Sequence, residues 1–88
     1  MENIFWKAYS NEERHAAIQK IQTIISTYGH IVDFNVFSDV SISIKIEIEE
    51  LHIDALSQEL KLNIGMDNAD PLHSHSTTER VVFLNISF

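Results

Sequence analysis

No cysteine occurs anywhere in these 88 residues. Disulfides, thiolate metal sites and cysteine nucleophiles are therefore excluded together. Glycine is nearly as scarce: Gly29 and Gly65 stand alone, and loops that cradle phosphates need several glycines in close order. Basic residues number six against thirteen acidic ones, a formal charge of −7. That field repels phosphate backbones and anionic lipid, so neither nucleic acid nor a membrane surface is the expected partner. No uninterrupted apolar run approaches the roughly 18 residues of a membrane span. The opening Met-Glu-Asn-Ile-Phe-Trp-Lys lacks the basic and apolar regions of a secretory leader, so a cytoplasmic protein is expected.

What is present is a globular composition, 44% hydrophobic, in a chain long enough for one core. A single domain over residues 1–88 is expected. The strongest pattern runs from Val40 to Ile48. Val40, Ile42, Ile44, Ile46 and Ile48 alternate with Ser41, Ser43, Lys45 and Glu47, the period-2 signature of a strand with one buried and one wet face.

The other elements follow in order. Asn3 to Tyr9, rich in aromatics and loosely alternating, suits a first strand. Ser10 and Glu13 have capping-box spacing and predict a helix over Asn11 to Tyr28, with Ala17, Ile21, Ile24 and Tyr28 inward, Ile18 and Ile25 beside them, and Gly29 as a left-handed stop. His30 to Phe37 reads as a second strand with Val32, Phe34 and Val36 on its core side, and Ser38-Asp39 turns it into the isoleucine strand. Leu51 to Leu62 predicts a second helix with Leu51, Ile53, Ala55, Leu56 and Leu60 inward. Residues 64–67 have room for a short extra strand, 68–78 read as a polar loop around Pro71, and Arg80 to Phe88 is a last strand.

The order β-α-β-β-α-β predicts an α+β, ferredoxin-like two-layer sandwich. In it, two helices cover one face of an antiparallel four-stranded sheet whose first and third strands are central. The stretch Arg14 through Leu62, an isoleucine-striped helix ending in glycine, two hairpin strands and a second helix, resembles the ACT domain and related regulatory modules. The resemblance implies a non-catalytic domain that takes an amino acid or similar small effector at a domain interface, near the turn joining the first strand to the first helix. Here that turn is Tyr9-Ser10-Asn11-Glu12-Glu13; it holds no glycine, and no residue role is carried over.

With Ile4, Trp6 and Ala8 toward the helices, Phe5 and Tyr9 fall on the uncovered face, with Val81, Phe83, Ile31 and Phe37. That is more apolar surface than a small monomer leaves wet, so a homodimer packing sheet faces or continuing sheet edges is expected. Ser41, Ser43, Lys45 and Glu47 on the same side lack the aromatics and basic residues of an RNA platform. His73 and His75, with Asp70 and Asp67 nearby, offer ligands for zinc, nickel or manganese, although a His-x-His pair without a fixed third ligand reads first as a polar loop. Glu47, Glu49, Glu50 and Asp54 form an acidic run read as solvated strand face and helix-start charge. His15, His30 and His52 are given no role. No serine sits in a nucleophile's glycine-flanked turn. The expected function is a non-catalytic, self-associating domain with no cofactor, able to take a small ligand or protein partner. The alternative is a small metal-binding protein or dimeric enzyme using His73 and His75, or Trp6 with a loop histidine.

Overall fold

The isoleucine alternation is realised residue by residue in the computed structural model, which describes residues 3–67 and 69–88. In strand β3 (Ser41–Glu49), Ile42, Ile44, Ile46 and Ile48 are buried and the residues between them are not. The same alternation runs through β1 (Ile4–Tyr9), where Trp6 and Ala8 are buried, and β5 (Glu79–Ser87), where Val82, Leu84 and Ile86 are buried. Helix α1 (Arg14–Tyr28) covers this layer with Ala17, Ile21 and Ile25, and α2 (Glu50–Asn63) with Ile53, Leu56 and Leu60. β2 (His30–Ser38) and the short β4 (Gly65–Asp67) complete the fold. The result is an α+β domain with both helices on one side of the sheet.

The sheet differs from the expected one. Among the described residues it has five strands in the order β2-β3-β5-β1-β4, and it is mixed: β1 and β5 run parallel while the other neighbours are antiparallel. The first and third strands are therefore not adjacent. The last strand lies between them, pairing β3 from Ser41↔Ser87 to Glu49↔Glu79 and β1 from Ile4↔Val82 to Tyr9↔Ser87. Its Val82, Leu84 and Ile86 stripe buries best in the centre, where it is flanked on both sides and covered by helices. The stretch after β4 gives the chain the length to return parallel to β1.

Several boundaries and faces also shift. Helix α1 begins at Arg14, because the Glu13 carboxylate accepts from the His15 and Ala16 N–H groups, while Ser10 Oγ accepts instead from Glu12 N–H in a separate turn. Gly29 is extended, not left-handed. A Cβ there would lie 2.8 Å from the Glu47 carbonyl oxygen and 2.9 Å from Ile48 Cβ, so close approach to β3 is what requires glycine. In α2 the buried stripe includes Ser57, and Ala55 faces outward. Val40 lies in the β2–β3 turn and is exposed. An irregularity between Ile31 and Asp33 resets the face of β2. Ile31 pairs with Ile46 and packs against the core, and Val32 is exposed, the reverse of the expected assignment.

Candidate functional site

The helix-free face is built by the odd partners of the buried stripes. Cross-strand pairing sets Phe5 beside Phe83, Phe83 beside Lys45, and Lys45 beside Asp33 in one row across four strands. The Phe5 and Phe83 rings stack with centroids 5.2 Å apart and planes 13° from parallel, and Lys45 Nζ lies 5.8 Å from the Phe83 centroid. Phe5 is 65% exposed even so. Stacking and a cation over the outer ring are each worth of the order of 1 kcal/mol, which fixes these side chains without covering them. Next along the strands come Lys7, Asn85, Ser43 and Asn35, then Tyr9, Ser87 and Ser41. The expected residues Phe5, Val81 and Phe83 thus come together on β1 and β5. Tyr9 lies at one end of the face, over Gly65 of β4, whose missing Cβ leaves room for the phenol ring. Phe37, 70% exposed, sits apart on the edge strand β2, with β3 between it and the aromatic pair.

The other end of the face is acidic. Glu49 pairs directly with Glu79, and Glu47, two residues along the same side of β3, pairs with Val81 on one flank and His30 on the other. The Glu79 carboxyl is held above its ordinary range, first by a hydrogen bond with the Glu47 carboxyl and by that group's charge, then by desolvation and Glu49, with His30 pulling the other way. His52 of α2 reaches Glu49 at 3.8 Å.

Neither sheet edge offers a clean ladder. On β2, the Asp33 carboxylate accepts from Phe34 N–H at 3.0 Å and from Asn35 Nδ2 at 3.1 Å, and the pairing is irregular on both sides of this segment. A backbone donor engaged by its neighbour's side chain and a bulged strand both discourage another strand from adding. The β4 edge is three residues long.

The segment carrying His73 and His75 is a strap, not a free loop. Thr78 and Ser76 carbonyls accept from Glu50 and Leu51 N–H at 2.9 and 3.0 Å, satisfying donors at the start of α2. Asp54 accepts from Leu72 and His73 N–H, both at 2.8 Å, and its carboxyl is held below the ordinary range chiefly by the Leu72 bond, against a smaller desolvation penalty. Glu50 takes Ser74 Oγ at 2.9 Å on one oxygen and Arg80 at 3.2 Å on the other. His73 has φ 51°, and His73, His75 and Asp70 are exposed. Among the described residues, no group of three or more histidine, aspartate or glutamate side chains is arranged to hold a metal ion. Asn68, part of the expected loop, lies outside the described residues. Trp6 is buried in the core.

A groove of about 450 Å³ lies beside the β1–α1 turn, lined by Tyr9 to Glu12 and by Lys61 to Gly65. Glu12, on one wall, binds Lys20 outside the groove at 2.6 Å. Sequence reasoning did not find this groove, since its two walls are about fifty residues apart in the chain. No protein-family profile, curated protein or solved structure matches this chain. No helix of the described residues is long and apolar enough to cross a membrane.

Proposed function

We propose that this chain is a small non-catalytic domain that works by association, pairing through its helix-free face with a second copy. The observation that carries the reading is the stacked Phe5–Phe83 pair, on the central strands of the sheet and still open to solvent. An apolar centre ringed by Lys7, Lys45, Ser43 and Asn85 has the anatomy of an interface core and rim. Three strands of nine residues, one of six and one of three, at about 3.3 Å per residue and about 4.8 Å apart, make a face of roughly 570 Å² in projection. That is somewhat less than the roughly 800 Å² of accessible surface each partner commonly buries in a stable complex, and side-chain relief adds to the flat projection. With the β2 edge engaged by Asp33 and the β4 edge short, the face is favoured over edge continuation.

In architecture the proposal takes the domain as a ferredoxin-like βαββαβ unit, β4-β1-β3-β2, opened between β1 and β3 to admit β5. The ACT-like resemblance adds a regulatory role, for which the groove beside the β1–α1 turn is the place for a small effector. The reading built on His73 and His75 has less support, because the strap's hydrogen bonds serve α2 and leave both imidazoles outward. Sedimentation velocity at tens of micromolar tests the proposal. Wild type should run as a dimer and Phe5→Ala should shift toward monomer; a wild-type monomer at that concentration overturns it.

A further inference from the structure

Three carboxylates share one end of the face assigned above to self-association. Glu49 and Glu79 are direct cross-strand partners, and Glu47 lies two residues along the same side of β3, opposite Val81. Like charges in such positions oppose one another even when solvated. Burial under a partner that itself carries a formal charge of −7 adds to the penalty.

We propose that this carboxylate group makes association through the helix-free face acid-dependent, weakening it at neutral pH and tightening it as protons are taken up. The inference rests on the proposed self-association. The groups that face Glu79 are Glu47 and Glu49 from β3 and, beyond Glu47, His30 from β2; His52 of α2 stands against Glu49. Arg80 belongs to the opposite side of the sheet, paired with Glu50, and Lys45 lies one pair further along β3 beside Phe83.

The sign follows from these neighbours. In the folded chain the Glu79 carboxyl holds its proton more tightly than an isolated glutamate, the Glu47 carboxylate being the first cause, and once protonated it no longer repels Glu47 and Glu49. Closing the face raises the preference for the neutral form further, so proton uptake and association promote each other. Only the part of this repulsion that burial adds enters the association equilibrium, and over two copies it is of the order of a tenfold change in dissociation constant.

Sedimentation velocity from about pH 7.5 down to about pH 4.5, through the glutamate range, tests this on wild type and on three variants. Wild type should associate about tenfold more tightly at the lower pH. Glu79→Gln should associate tightly at both. Asp39→Asn removes the same charge at the exposed β2–β3 turn and should behave as wild type. That comparison separates a local effect from general loss of charge toward the pI of about 5.0. Phe83→Ala should abolish association at both pH values. A wild-type dimer without pH dependence, or Glu79→Gln no different from Asp39→Asn, overturns the acid dependence and leaves the face as the interface. Monomers throughout, or association that Phe83→Ala does not touch, overturn the face and the acid dependence together.

Discussion

Asp54 does more for this fold than its place in an acidic run suggests. Its carboxylate accepts two backbone N–H groups from the strap, both at 2.8 Å, so Asp54→Ala should cost about 1–2 kcal/mol in urea unfolding and free residues 69–78 to exchange faster. The pH dependence is opposite to that of Glu79. Because the folded-state carboxyl of Asp54 lies below its ordinary 3.8, its contribution is present above that pH and disappears as the pH falls through the depressed folded value. The Glu79 contribution, raised in the folded chain, is present at low pH and lost as the pH rises through its folded value. A urea titration of the Asp54→Ala difference against pH should shrink toward zero in strong acid. Gly29→Ala should destabilise by about 1–3 kcal/mol in the same assay, since the new Cβ meets β3 backbone that cannot move aside. The residue pattern showed that Gly29 closes α1, but not why. Composition and spacing report φ preferences, whereas the 2.8 Å approach to Glu47 exists only once β2 and β3 pair.

Elements whose faces alternate or repeat cleanly are legible in the sequence itself. β1, β3 and β5 each expose and bury the residues that period 2 assigns, and α1 faces inward on the expected side, although Ile25 is buried more fully than the expected Ile24 and Tyr28. β2 was misread at Ile31 and Val32 because an irregularity swaps faces without changing composition. The neighbours of β5 were misread because alternation states which face is buried and not which strands lie alongside. At this scale β2 supplies a test of edge protection. Asp33→Ala should leave stability within about 0.5 kcal/mol of wild type, yet release the Phe34 N–H at the edge. Light scattering should show faster growth of higher oligomers than in wild type, and unchanged scattering would remove the edge-blocking role of Asp33. In β3, Ile44 is fully buried beneath both helices' layer, so Ile44→Ala should cost about 2–5 kcal/mol in thermal or urea unfolding. That is a large share of the 5–15 kcal/mol typical of a domain.

For the whole molecule, apolar residues from three strands lie on the helix-free side of the sheet, and the fold concentrates most of them. Phe5, Val81 and Phe83 meet on β1 and β5; Tyr9 closes one end; Glu47, Glu49 and Glu79 close the other; Phe37 stands apart on the edge. The groove at the β1–α1 turn was not legible, because it forms where the end of α2 comes to rest beside Ser10 to Glu12. The isoleucine strand organises both sides of this arrangement. Its buried face holds the helices, and its polar face supplies Lys45 to the aromatic pair and two of the three acidic side chains. The most direct test of the central claim is sedimentation velocity on wild type and on the Phe5→Ala, Phe83→Ala double variant at tens of micromolar, with circular dichroism to verify that both are folded. The account predicts a wild-type dimer and a folded monomeric variant. A wild-type monomer, or a dimer that both substitutions leave intact, would contradict it.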